Sequence, residues 1–187
     1  MADAVAIALP AARNVLRPTR EIVDEMLTRL GALEFATGGR AFQTVRRFSE
    51  TNIVEALKKL VVNQSRAAFV VFDQHSWESS REGQQARYRR TTRIAVLFTD
   101  KVLGDYDEAL YGNDRTPGAI GLSELAVPAL CGLLLPNPAG VELVPTSEDP
   151  AIVEIDQKKL PGRAVVSAQF EARGGWMSRP LGLGPVQ

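Results

Sequence analysis

The apolar positions of this chain follow two different periods, and the switches between them divide it into elements. Ile22, Val23, Met26, Leu27 and Leu30 recur at helical spacing, while Glu21, Asp24, Glu25 and Arg29 occupy the opposite face. This predicts a helix from an N-cap at Thr19 to Leu30, closed by Gly31. A short strand is expected over 41–49, anchored by Phe42, Val45 and Phe48. A second helix follows, capped by Thr51 or Asn52, with Ile53, Val54, Leu57, Leu60 and Val61 as its stripe. At 66–73 the sequence is R-A-A-F-V-V-F-D. Four consecutive apolar residues, Phe69–Phe72, read as a strand covered on both faces. At 87–99, R-Y-R-R-T-T-R-I-A-V-L-F-T alternates. Tyr88, Thr92, Ile94, Val96 and Phe98 share one face, and Arg87, Arg89, Thr91, Arg93, Ala95 and Leu97 the other. These two stretches are expected to be neighbouring strands, with 74–86 a polar loop or hairpin tip.

Beyond them the signals alternate again. Residues 100–116 read as a long loop, of the kind that is usually functional or partner-bound. Thr116 and Pro117 are placed to open a third helix. Its expected core face is Ile120, Leu125, Leu130, Leu133 and Leu134, and Pro128 should kink or split it. Short strands are expected at 141–144 and 151–155, and a last strand at 163–173. The pattern therefore predicts an α+β domain over residues 18–173, a mixed or antiparallel sheet flanked by two to three helices. An N-terminal arm, 1–17, and a C-terminal arm, 174–187, extend from it.

Composition narrows the function classes. The 187 residues are 45% hydrophobic and 24% charged, a globular balance. Lys plus Arg and Asp plus Glu are 22 each, so net charge gives no drive toward nucleic acid or an anionic membrane. No apolar run reaches the roughly 18 to 20 residues of a membrane span, and the N-terminus lacks the basic start of a secretory signal. Cys131 is the only cysteine, which suits a reducing compartment. His75 is the only histidine, so H-E-x-x-H and multi-histidine metal sites are excluded. No phosphate-binding glycine motif and no G-x-S-x-G elbow occur. No cofactor is implied, and an enzyme is not expected.

Three features ask for an explanation. Arg87, Arg89 and Arg93 form a basic row on one strand face, with Arg90 opposite. Such a row suits a solvent-facing strand end, acidic groups of a neighbouring subunit, or DNA passing nearby, because the guanidinium fork pairs with carboxylate or phosphate. Trp77 lies in the expected polar loop, where an exposed indole suits an interface anchor. The arms carry Leu9, Val15, Leu16, Trp176, Met177, Leu181 and Leu183, too apolar for simple linkers. They suit either contact with neighbours or a cover for the chain's own core.

The order of these elements resembles a known family. A helix (E-I-V-D-E-M-L-T-R-L) leads to a strand (A-F-Q-T-V-R-R-F), a short helix (I-V-E-A-L-K-K-L) and the strand A-A-F-V-V-F. The long strand Y-R-R-T-T-R-I-A-V-L-F, a late helix (I-G-L-S-E-L-A-V-P-A-L-C-G) and the closing P-G-R-A-V-V-S-A-Q-F-E-A-R follow. Over residues 19–173 this resembles the tail terminator proteins of tailed bacteriophages, especially those of Mu-like phages and prophages. The resemblance implies a virion protein, assembled in the host cytoplasm, that forms a homohexameric ring at the head-proximal end of the tail. Such a ring stops tail-tube polymerisation and meets the neck or connector proteins, and in some tails the sheath. DNA passes through its lumen without specific binding. Other readings stay open: a head-completion or head–tail connector protein, a small hydrolase centred on Asp73 and His75, and a DNA-binding module using Arg87, Arg89 and Arg93.

Overall fold

The computed structural model describes residues 15–48, 66–82, 85–102, 105–136, 140–147, 151–152 and 162–180. Ten elements occur in these residues. In chain order they are α1 (Thr19–Ala32), β1 (Thr44–Arg47), β2 (Ala67–Glu82), β3 (Gln85–Lys101), α2 (Tyr106–Tyr111), α3 (Gly118–Leu130), β4 (Gly132–Leu135), β5 (Val141–Pro145), β6 (Ala151–Ile152) and β7 (Arg163–Pro180). The fold is α+β. One mixed sheet has the order β1-β2-β3-β7-β5-β4, with β6 also paired to β7. β1 runs parallel to β2, and the other pairs are antiparallel. A parallel pair needs a crossover of about a dozen residues or more, for which the interval between β1 and β2 leaves room. The second expected helix, at 51–61, lies in that interval and outside the described residues.

The sheet is built around β3. Its alternating face delivers Ile94, Val96 and Phe98 to the main core, where α1 contributes Ile22, Met26 and Leu30 and α3 contributes Leu122, Ala126 and Leu130. Phe42 stacks on Phe98 with ring centroids 5.8 Å apart. Each such fully buried large side chain contributes roughly 1.5 to 3 kcal/mol. On the opposite face Phe69, Leu97 and Val165 are also buried. A smaller cluster of Ala109, Leu110, Ala119, Ala164 and Val166 seats α2 and α3 at the far end of the sheet.

Several local expectations are corrected. The helix α1 has Pro18, not Thr19, at its N-cap, and no side chain caps it. β1 is confined to Thr44–Arg47, with Phe42 buried just before it. Both faces of β2 are covered at Phe69 and Val70, but Phe72 is 45% exposed because the helical cover ends there. The expected loop 100–116 contains α2, capped by Asp105, whose Oδ1 accepts from the Glu108 backbone N–H at 3.0 Å. The third helix starts at Gly118 and stops at Leu130. Its buried side is Ala119, Leu122, Ser123, Ala126 and Leu130, not the expected leucine stripe. Leu133 and Leu134 belong to β4. Pro128 sits in the last turn, so the helix ends after it and is not split. Gly118 has φ 70°, and a Cβ there would lie 2.3 Å from the Gly112 nitrogen, so the two backbones close the T-P-G turn by direct approach.

A polar group is sealed in beside this turn. Arg163 is 1% exposed, and its Nη1 donates to Thr99 Oγ1 at 2.9 Å. Asp100, fully buried, accepts from its neighbour's backbone N–H at Lys101 and from the Thr116 hydroxyl. Burial pulls the Arg163 guanidinium down to about 10, while the nearby Asp100 carboxylate opposes that fall. Removing one member of a buried charge group leaves the other uncompensated. Asp100→Ala is therefore expected to destabilise the fold by about 3 kcal/mol, read as a lower urea midpoint at unchanged slope. Asp100→Asn, which keeps a hydrogen-bond acceptor, should fall between the two.

Candidate interaction surface

Residues 74–86 are expected from the sequence to be a polar loop or hairpin tip. In the structure β2 continues to Glu82 and β3 begins at Gln85, so most of that stretch is a long hairpin. β7 likewise does not stop at 173. It runs on to Pro180, with Arg89 paired to Trp176 and Tyr88 to Met177. The expected boundary between domain and C-terminal arm thus falls inside a strand. The outcome is a three-stranded antiparallel arm, β2–β3–β7, continuing the sheet past the helices. Among the described residues no helix packs an apolar stripe across either face, which suits its polar sequence, and the cross-strand ladder holds it together.

Two irregularities mark where the arm leaves the core. On β2 the register shifts between Phe72 and Gln74, which leaves Asp73 as the extra residue of a bulge. On β7 the register shifts between Arg89 and Thr91 of its partner, opposite Gly174 and Gly175. These glycines have φ of 150° and 70°. A Cβ on Gly175 would sit 2.6 Å from the Val15 carbonyl oxygen, so the entering chain at Val15 uses the space. Bulges increase local twist and re-aim side chains.

The six residues proposed from sequence as an interface all lie on the arm or its base, on two faces. Arg87, Arg89 and Arg93 share one face of β3, and Trp176 joins them as the partner of Arg89. The Arg87 guanidinium lies over the Trp176 ring, 4.5 Å from its centroid. Trp77, opposite Arg90, and Met177, opposite Tyr88, are on the reverse face. Trp77 is 48% exposed, and it stands on a strand and not in a loop.

Sequence reading missed the acid that organises the arginine face. Glu171 Oε2 accepts from Arg173 at 2.7 and 3.1 Å, and its Oε1 lies 3.4 Å from Arg93 Nε. The Arg173 hydrogen bonds hold the Glu171 carboxyl below its usual range, with the charges of Arg173 and Arg93 adding to the effect. Its signal in the sequence is E-A-R at 171–173, two residues apart on one strand face. A concavity of about 660 Å³ lies over this face, lined by Arg89, Arg93, Glu171, Arg173 and Trp176 among others. A second, of about 510 Å³, continues it toward Val71, Ala95 and Gln169. The arrangement can pair with carboxylates or phosphates and stack a planar group on indole.

The reverse face carries a clasp between the arm and α1. His75 Nε2 lies 3.2 Å from Thr19 Oγ1, and its Nδ1 lies 3.1 Å from Thr92 Oγ1. The ring packs 4.7 Å from that of Phe72. Arg90 donates to the Arg17 carbonyl on the same side. The His75 ring bonds Thr19 and Thr92 and not Asp73, its expected partner in a hydrolase centre. Among the described residues, no three His, Cys, Asp or Glu side chains gather as a metal site. No described helix is long and apolar enough to cross a membrane. Cys131 is half-buried, and burial pushes its thiol up.

No protein-family model and no curated protein matches this chain. Among solved structures it is similar to a chain described as the virion of a native gene transfer agent particle. The two are 12% identical, with a TM-score of 0.41, over 71% of this chain and 79% of that one. Likeness at this level assigns neither family nor function.

The clasp makes a pH prediction. Burial, with Arg90 adding to it, lowers the pKa of His75 below its ordinary value of 6.5. The folded state thus favours neutral imidazole. This contribution to stability is complete above the unfolded pKa and is lost as pH falls through the lowered folded value. Melting temperature should therefore drop as pH falls below the ordinary histidine value of 6.5. His75→Gln should flatten that part of the profile, and an unchanged slope would remove His75 as its cause.

Proposed function

We propose that this chain is a non-enzymatic virion subunit, a tail terminator that closes into a homomeric ring at the head-proximal end of a phage tail. There it stops tube growth and meets the neck. The element order read from the sequence carries the reading, because over residues 19–173 it resembles that family. The arm supports it physically. A ring of identical subunits needs two different side surfaces that fit each other. The arm presents an arginine and tryptophan face on one side and an exposed Trp77 on the other. Arg87, Arg89 and Arg93 would meet acidic groups of a neighbour or of the tube. Duplex DNA crossing the lumen would find no net positive chain, which suits passage without specific binding.

The second reading is a head-completion or connector ring, and the same arm would serve it. Position in a particle separates the two, against the tail tube or against the portal side.

Native mass measurement of the purified 20.3-kDa chain is the direct test, with a closed species of six chains as the expected result. Combined Arg87→Glu and Arg89→Glu substitutions should shift that species toward single chains while leaving the fold intact. A wild-type chain that stays monomeric at every concentration, and never co-purifies with tails, would overturn the proposal.

A further inference from the structure

A second concentration of cations lies at the end of β3 away from the arm, where two turns face one hollow. The first turn joins α1 to β1. In it the Phe35 N–H donates to the Gly39 carbonyl at 3.0 Å and the Gly38 N–H to the Phe35 carbonyl at 2.8 Å. Nothing lies within 4 Å of a Cβ built on Gly38 or Gly39, so this turn is open on its outer side. The second turn joins α2 to α3. Asn113 Oδ1 accepts from the Arg115 and Thr116 backbone N–H groups at 2.8 and 3.1 Å, which fixes where Arg115 leaves the chain. Arg66, just before β2, lines the same hollow. Its carbonyl accepts from the Gln43 N–H at 3.0 Å, and its guanidinium lies 4.9 Å from the Phe35 ring centroid. A guanidinium over a ring face keeps its N–H edge free to donate.

Arg40, Arg66 and Arg115 line this concavity, of about 390 Å³. Arg66 and Arg115 also line a neighbouring one of about 380 Å³, together with Lys101. Among the described residues no carboxylate pairs with any of these cations. The acids close by are otherwise placed. Asp100 is fully buried and accepts from the Lys101 backbone N–H and the Thr116 hydroxyl. Glu108 Oε2 accepts from Asn113 Nδ2 at 2.7 Å. Asp114, which lines the first concavity, and Glu34, across a β-bridge from Arg40, are exposed and pair with none of the arginines. On the arm, by contrast, Glu171 already holds Arg93 and Arg173.

We propose that this two-lobed hollow receives an acidic segment of a partner chain, with one carboxylate in each lobe and Arg66 and Arg115 between them. Two lobes that share two arginines suit a segment with spaced carboxylates better than one small anion, and the guanidinium fork pairs with carboxylate. Duplex DNA is held by a broad basic footprint, whereas these cations sit in two small hollows beside Asp114 and Glu34, on a chain without net charge. The site is separate from the arm and stands whether or not the chain forms a ring.

Fluorescence anisotropy of a dye-labelled hexaglutamate peptide with the full chain at low salt tests it. Arg40 and Arg115 are both exposed, so Arg40→Gln with Arg115→Gln should leave the melting temperature unchanged. The same pair should weaken peptide binding about tenfold or more, the loss of a charge-assisted hydrogen bond. Arg87→Gln with Arg89→Gln, on the arm, should leave binding nearly unchanged. Equal losses from the two pairs would mean unspecific attraction between charges and would overturn the site, as would no loss from the first. If inorganic phosphate or duplex DNA binds in a manner that the first pair abolishes, and the peptide does not, the site is an anion site of another kind and the acidic-segment proposal falls. Native mass, the measure of the ring, enters none of these outcomes.

Discussion

The backbone ladder on the two sides of β3 is the constraint on which the rest depends. β3 pairs with β2 and β7 along nearly all of its 17 residues. Over Ile94–Phe98 that ladder is reinforced by α1 and α3 packing on its face. Over Arg87–Arg93 there is no comparable apolar cover among the described residues, and there the arm depends on pairing, with each hydrogen bond contributing on the order of 1 kcal/mol net. Two strands alone would be marginal in water; a third strand is what makes a projecting sheet stable. The path of β7 past Arg173 is therefore what gives the arginine face a platform.

The two bulges sit where the helical cover ends, Asp73 on one neighbour of β3 and Gly174–Gly175 on the other. Their placement separates two tasks. On the core side, side chains are chosen for packing: Phe69, Phe98, Phe170. On the arm side they are chosen for what they present: arginines and a stacked indole on one face, Trp77 and the His75 clasp on the other. Glu171 stands at the boundary and ties Arg93 and Arg173 together, so the basic face is partly neutralised from within and its free capacity lies toward Arg89.

Much of this was legible in the sequence wherever burial imposed a period. The α1 stripe and the alternation of β3 from Tyr88 to Phe98 were read correctly because one side of each faces the core. The arginine row was also legible, as was its sharing of one face. The outer half of β2 was not, because Q-H-S-W-E-S-S-R-E has no apolar period to show. The bulge at Asp73 further breaks the phase that would have joined it to F-V-V-F. The extension of β7 was hidden by Gly174–Gly175, which read as a strand end and serve instead to admit Val15. The two leucines after α3 looked like a continued helix, since an apolar run at a chain reversal carries no period of its own. Glu171 was overlooked because its role depends on two strands being adjacent.

The unbroken course of β3 and β7 from core to arm has a mechanical consequence. Ladder bonds lie across the strands. A pull directed along the arm therefore strains all of them together, as in a lap joint, and cannot open them one at a time. A load taken up at the outer end would pass straight into the packed half of the sheet without meeting a loop that could yield first.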